Sequence, residues 1–128
     1  MKRNITFIIL FSVMLVYRLF AGGDLASQDQ ITKDIKANTA VLIDVREQDE
    51  IQSGMIKGAN FIPLSLIKSH PDQAVVKIKA LASDKKIYFY CRSGTRSGIA
   101  ISSLKEHGIN GVNAGGFSRL KEFFPTTN

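Results

Sequence analysis

The stretch that decides the fold is Ile87-Tyr88-Phe89-Tyr90-Cys91-Arg92-Ser93-Gly94-Thr95-Arg96-Ser97. Its first four residues are large and apolar, and they predict a buried β-strand over 87–90. Glycine and hydroxyl side chains then indicate a short loop, and residues 97–107 predict a helix with Ile101 and Leu104 facing inward. A strand, a short loop and a helix in this order form the building unit of a parallel α/β sheet.

Further strands and helices alternate along the rest of the chain. A continuous apolar run predicts a second buried strand over 40–45. Weaker signals predict two more strands, over 59–62 and 111–113. A turn at Ala114-Gly115-Gly116 is predicted after the last of them. Helices are predicted over 28–37 after a Ser27 cap, over 47–53, from Pro71 onward and over 117–124. The order predicts a single α/β domain over 24–128, with a mostly parallel central sheet flanked by helices.

The first 23 residues have the pattern of an export signal. Lys2 and Arg3 precede an apolar run at 5–17, Arg18 closes that run, and Ala21-Gly22-Gly23 offers small residues for cleavage. The run is short for a bilayer-spanning helix, which takes about 20 apolar residues. We therefore expect a signal peptide at 1–23 and a periplasmic protein. The alternatives are an uncleaved anchor in the inner membrane through 5–17, and a buried helix of the domain.

The charge of the chain does not indicate a nucleic-acid partner. The formal net charge is +6, and it falls to +3 without residues 1–23, which hold three basic residues and no acidic one. The remaining basic residues are dispersed apart from short pairs such as Lys85-Lys86. So mild a positive balance is compatible with small anionic substrates. No stretch after the signal could cross a membrane, so we predict no membrane contact once the signal is removed.

The chain has one cysteine, Cys91, which therefore cannot form an internal disulfide. A Cys-rich metal site is excluded for the same reason, and His70 and His107 lie far in sequence from any cluster of ligands. We predict no metal and no cofactor. The thiol is free, reactive or paired with another molecule.

The position of Cys91 predicts a nucleophile. At the end of a buried parallel strand, its sulfur should face the unpaired N–H groups and the positive dipole end of the next helix. Arg92 and Arg96 add two cations, and Gly94 lets successive amides point inward around one centre. All these features favour the thiolate. Lowering a thiol pKa by about 2 units takes roughly 2.7 kcal/mol of stabilisation, which is an ordinary demand on a helix N-terminus with a nearby cation.

The same residues also have purely structural interpretations. Cys91 could be an inert, buried cysteine at a strand end, Ser97 a helix cap alone, and Ser93 and Thr95 plain turn or cap residues. An inert thiol does not need two arginines and a glycine beside it, and this favours the nucleophile.

A second polar group lies at the end of the predicted strand at 40–45. Asp44 and Arg46 are interpreted as structural support, through a salt bridge or a hydrogen bond that positions a loop, with a direct functional role as the alternative. Glu47 and Glu50 are expected to be solvated charges at a helix start. No histidine or carboxylate adjoins Cys91 in the sequence, so the chemistry would rely on a preformed thiolate.

Three separate motifs resemble those of single-domain rhodaneses, the sulfurtransferases. Residues 91–97 resemble the active-site loop of that family, and the resemblance continues upstream in 42–47 and 54–63. It continues downstream through Gly108 and Asn113-Ala114-Gly115-Gly116. With its export signal, the chain is most similar to the small periplasmic rhodaneses of the phage-shock type.

Two departures from the family pattern are visible. Met55 stands where the family usually has the histidine of Gly-His-Ile, a residue regarded as structural. The sequence before Ser27 also gives no clear signal for the first short strand of the family's sheet.

The resemblance implies a mechanism. The Cys91 thiolate attacks the outer sulfur of thiosulfate, releases sulfite and becomes a persulfide. A thiol or cyanide acceptor then takes the sulfur in a ping-pong reaction. Amides of the loop cradle the sulfur and two arginines bind the sulfonate, so that the implied substrate-binding residues are Arg92, Ser93, Gly94, Thr95, Arg96 and Ser97. The protein is expected to act as a monomer.

Two other functions compete with this one. Cysteine phosphatases and arsenate reductases have five residues between the cysteine and the arginine of their loop, whereas four separate Cys91 from Arg96. A shorter loop makes a tighter ring, which fits one sulfur better than a tetrahedral oxyanion. A non-catalytic binding module of the rhodanese fold is the other alternative, although such modules typically lack the cysteine.

Overall fold

A computed structural model of the protein describes residues 25–127. The predicted export signal at 1–23 lies outside the described residues. None of the described helices combines the length and the apolar character that crossing a membrane requires.

The described chain is built on a sheet of four parallel strands in the order β2-β1-β3-β4. The strands are β1 (Ala40–Asp44), β2 (Asn60–Phe61), β3 (Lys86–Cys91) and β4 (Gly111–Gly116). All four point the same way, so their carboxyl ends meet at one edge of the sheet. This confirms the predicted α/β class with a parallel central sheet.

Helices cover both faces of the sheet. They are α1 (Gln28–Lys36), α2 (Gln48–Ile51), α3 (Leu64–Ser69), α4 (Pro71–Ala82), α5 (Thr95–Lys105) and α6 (Phe117–Leu120). The sequence does not predict helix α3, because six residues are too few to show a helical period. Pro63, directly after the predicted strand at 59–62, is the N-cap of this helix.

The residues of β3 alternate between two apolar cores. Phe89 and Cys91 belong to the core beneath α3, α4 and α5, while Tyr88 and Tyr90 belong to the core beneath α1 and α6. Because both faces of the strand are buried, its sequence is a continuous apolar run rather than an alternating one. This packing fixes Cys91 at the carboxyl edge of the sheet.

The predicted turn at Ala114-Gly115-Gly116 is wrong, because these residues form the last part of β4. A β-bulge shifts the register so that Phe89 pairs with Asn113 while Cys91 pairs with Gly116. A Cβ atom on Gly116 would lie 2.5 Å from the Arg92 carbonyl oxygen. The glycine is therefore needed for the close approach of the loop that follows Cys91, and not for a turn.

Candidate active site

The loop after β3 curls around the sulfur of Cys91. The backbone N–H of Gly94 donates a hydrogen bond to Cys91 Sγ at 3.0 Å, and Ser97 Oγ lies 3.6 Å from the same sulfur. Gly94 has φ +102°, in the left-handed region that favours glycine. A side chain at this position would also press on Gly115, whose Cα would be 3.3 Å from the added Cβ.

Burial and these hydrogen bonds have opposite effects on the pKa of the thiol. Burial is the largest single influence and by itself raises the pKa of Cys91. The backbone and hydroxyl of Ser97 and the backbone N–H groups of Gly94 and Ser93 act against it, and together they hold the pKa of Cys91 below its usual value. A lowered pKa favours the thiolate, which is the nucleophilic form of cysteine.

Asn113 on β4 holds this loop in place. Its Nδ2 donates to the Gly94 carbonyl oxygen at 2.9 Å, and its Oδ1 accepts from Ser97 Oγ at 2.7 Å and from the Gly115 N–H at 2.9 Å. Asn113 belongs to one of the motifs described above, but the sequence pattern assigns it no role. A buried amide on an otherwise apolar strand was the available signal, because such a group needs hydrogen-bond partners.

Ser97 is not the cap of α5. The helix begins at Thr95 after Gly94, and the Ser97 hydroxyl lies within the loop network, 2.9 Å from the Gly94 carbonyl oxygen. The interpretation of Ser97 as a helix cap alone is therefore wrong, since the hydroxyl faces the sulfur and Asn113 instead.

Cys91 itself is 0% exposed and also contacts the apolar core. The inert-cysteine alternative predicts this burial, but it does not predict an N–H group directed at the sulfur. In this conformation, a substrate reaches Sγ only if residues of the surrounding loop move aside.

The two arginines of the loop differ in their surroundings. Arg96 forms a bidentate ion pair with Glu50. Its Nη1 donates to Glu50 Oε2 and its Nη2 to Glu50 Oε1, both at 2.6 Å. Arg92 is exposed, and no salt bridge involves it within residues 25–127. The assignment of both side chains to a substrate anion stays a prediction.

Glu47 and Glu50 lie at the start of α2, as predicted, but the expectation that they are solvated charges is wrong. The hydrogen bonds from Arg96 lower the pKa of Glu50 to about 2. Glu47 accepts hydrogen bonds from the backbone N–H and the hydroxyl of Ser65, at 3.1 and 2.8 Å. Both contacts join segments far apart in sequence, so helix-start position alone could not reveal them.

Asp44 and Arg46 form a buried ion pair at the end of β1, with exposures of 0% and 4%. Arg46 Nη2 lies 2.8 Å from Asp44 Oδ2 and donates to the Gly54 carbonyl oxygen at 2.8 Å. The guanidinium carbon lies 4.2 Å from the centre of the Phe117 ring. These contacts within the protein are the ones a structural pair requires, and the structural role stays a prediction.

Comparison with known proteins agrees with this geometry. Residues 27–122 match the profile of the rhodanese-like domain. The chain belongs to the rhodanese-like family. It is 30% identical over 125 residues to the uncharacterized protein YqhL of Bacillus subtilis, with 91% of each chain covered.

Other relatives of this rhodanese-like protein carry a named activity. It is 40% identical over 75 residues to the putative sulfurtransferase YtwF of Bacillus subtilis. The matched region covers 59% of this chain and 66% of the relative. The structure of a human single-domain sulfurtransferase superposes with a TM-score of 0.63 at 27% identity, covering 79% of this chain and 97% of that one. These relatives support sulfur transfer as the general activity of the family member described here.

Proposed function

We propose that the protein is a thiosulfate sulfurtransferase, which carries the transferred sulfur as a persulfide on Cys91 and passes it to a thiol or to cyanide. The observation that carries this proposal is the hydrogen bond from the Gly94 N–H to Cys91 Sγ, at 3.0 Å. It belongs to a network that lowers the pKa of a cysteine at the end of a buried strand.

In the first step, the Cys91 thiolate attacks the outer sulfur of thiosulfate. A new S–S bond forms, the bond between the outer sulfur and the sulfonate breaks, and sulfite leaves with the bonding electron pair. The product is a persulfide whose terminal sulfur carries the negative charge. The N–H groups of the loop stabilise this charge as an oxyanion hole stabilises oxygen.

In the second step, a thiolate or cyanide attacks the outer sulfur of the persulfide. The acceptor leaves as a persulfide or as thiocyanate, and the Cys91 thiolate is restored. Both steps exchange one anion for another, so neither needs a proton to be moved. This agrees with a site built on a preformed thiolate rather than on a neighbouring general base.

Mass spectrometry of the intact protein tests the proposal. Treatment with thiosulfate should add about 32 Da, the mass of one sulfur atom, with release of one equivalent of sulfite. The Cys91→Ser variant should gain nothing, and cyanide should remove the added mass from the wild type. A wild-type protein that gains no mass would instead favour a non-catalytic binding module.

A matched assay separates the sulfurtransferase from a cysteine phosphatase. Turnover with thiosulfate should exceed phosphate release from p-nitrophenyl phosphate. A phosphatase rate that rivals the thiosulfate rate would contradict the proposal.

We also propose that residues 1–23 direct export and that the domain works as a monomer in the periplasm, like the phage-shock type that it resembles. Cell fractionation with N-terminal sequencing tests the export. A mature protein that begins near Ala21-Gly22-Gly23 supports a cleaved signal, and an intact chain in the membrane fraction supports the anchor. Light scattering tests the monomer.

A further inference from the structure

A pocket of about 420 Å³ opens beside the loop that surrounds Cys91. The loop contributes Arg92 to this pocket. Helix α6 contributes Ser118, and its C-cap contributes Lys121. Arg46 and Glu50 of α2 also line the pocket. The pocket therefore joins the reactive loop to elements that sequence reasoning did not assign to the site.

The charges in this pocket do not balance. Arg46 and Glu50 are each neutralised by the ion pairs described above, at 2.8 and 2.6 Å. Arg92 and Lys121 form no salt bridge with a carboxylate within the described chain. Two cations on different elements thus face one pocket without an internal counter-ion, and an anion from solution would satisfy both.

An aromatic ring supports the position of Lys121. The Lys121 ammonium lies 5.9 Å from the centre of the Phe117 ring, and the Arg46 guanidinium lies 4.2 Å from the same ring. The ring attracts the ammonium and covers the paired arginine. Lys121 is itself exposed, so its ammonium can meet an anion from solution.

We propose that Arg92 and Lys121 form a subsite for the anionic end of the sulfur donor, so that the protein prefers small dianionic donors to neutral ones. This inference rests on the proposed sulfurtransferase function and deepens it. The charge of Arg96 is already balanced by Glu50 at 2.6 Å. Lys121 therefore takes the role of second cation that the loop motif alone would give to Arg96.

Half-reactions measured separately test the subsite. In single turnovers with thiosulfate, Lys121→Gln should lower the second-order rate constant for sulfite release about tenfold, as expected for losing one charge-assisted contact. Lys121→Arg should restore the rate to within about twofold of the wild type, since the charge is kept. Transfer from the persulfide to 2-mercaptoethanol, an uncharged acceptor, should not change.

Lys105→Gln is the matched control. Lys105 carries the same charge and is exposed at the end of α5, and it lines neither of the two pockets described here that contain Arg92. Its loss should leave sulfite release within about twofold of the wild type, because general surface charge contributes little at this range. An equal loss in both variants would show a non-specific charge effect and would overturn the subsite.

Binding without turnover separates this inference from the proposed function. Calorimetry of thiosulfate with Cys91→Ser should show about tenfold weaker binding when Lys121→Gln is added. If the wild type forms no persulfide but this binding difference is found, the proposed function fails and the subsite stands. If neither binding nor sulfite release depends on Lys121, the subsite is wrong.

Discussion

The carboxyl ends of β1 and β3 lie side by side in the sheet, yet they use their polar groups in opposite ways. At the end of β1, Asp44 and Arg46 satisfy each other inside the protein. At the end of β3, the Gly94 N–H is directed at Cys91 Sγ, and Arg92 faces solvent-accessible pockets. The same place in the fold thus holds an internally satisfied ion pair on one strand and the candidate reactive centre on its neighbour.

This difference between β1 and β3 predicts which substitutions should lower stability and which should lower activity. A buried ion pair resists the loss of one partner, because the other charge is then left unpaired in the interior. Polar groups aimed at a reactive sulfur contribute to chemistry more than to folding. The Arg96–Glu50 pair joins the two regions, since Glu50 lies on the helix after β1 and Arg96 on the helix after β3.

The largest effect should come from Cys91→Ser. We expect sulfur transfer to fall more than about 1,000-fold, because a serine hydroxyl is not ionised near neutral pH. The free energy of unfolding should change by less than about 1.5 kcal/mol, since the side chains are similar in size. Steady-state turnover and urea denaturation measure the two quantities, and a variant that keeps activity would rule out the persulfide.

The opposite pattern is expected at the end of β1. Asp44→Ala should lower the free energy of unfolding by about 3–5 kcal/mol, because it leaves the buried Arg46 without its carboxylate. Asp84→Ala, at an exposed position, is the control and should change stability by less than about 0.5 kcal/mol. If both variants are equally stable in urea denaturation, the β1 pair is not a structural support.

Removal of one hydroxyl sharpens the comparison at β3. Ser97→Ala should raise the pKa of Cys91, since the Ser97 hydroxyl helps to hold that pKa down. Persulfide formation near neutral pH should then slow about tenfold, as expected for one hydrogen bond to a charged group. The pH profile of sulfite release should move to higher pH. Ser102→Ala, exposed on the same helix, should leave the profile unchanged.

The smallest effect concerns the pair that joins the two regions. Glu50→Gln should cost about 1 kcal/mol of stability at neutral pH, since both partners are partly exposed to solvent. The folded-state pKa of Glu50, about 2, is below the ordinary value of 4.5. The contribution is therefore fully present above about pH 4.5 and is lost as the pH falls through about 2.

Urea denaturation of both proteins across this pH range measures the Glu50 contribution. The stability difference between wild type and Glu50→Gln should shrink toward zero between about pH 4.5 and 2. A difference that stays constant over the range would show that the carboxylate does not carry it. Glu122→Gln, at an exposed position, controls for the general loss of a negative charge.

Much of this site could be predicted from local patterns. The apolar run before Cys91 predicts a buried strand, and the glycine and hydroxyl residues after it predict a loop that leads into a helix. The network around Asn113 could not be predicted, because Asn113 meets Gly94 and Ser97 only through the pairing of β4 with β3 and its bulge. The role of Gly116 was misinterpreted as a turn for the same reason.

By itself, the sequence determined the alternation of strands and helices and the position of Cys91 at a strand end. Hydrophobic pattern and glycine placement act over a few neighbouring residues, so they can be interpreted along the chain. Only the tertiary structure decided which charges remain available, since it paired Arg96 with Glu50 and placed Arg92 and Lys121 in the lining of one pocket. Such pairings depend on contacts between segments tens of residues apart, which a linear pattern does not encode.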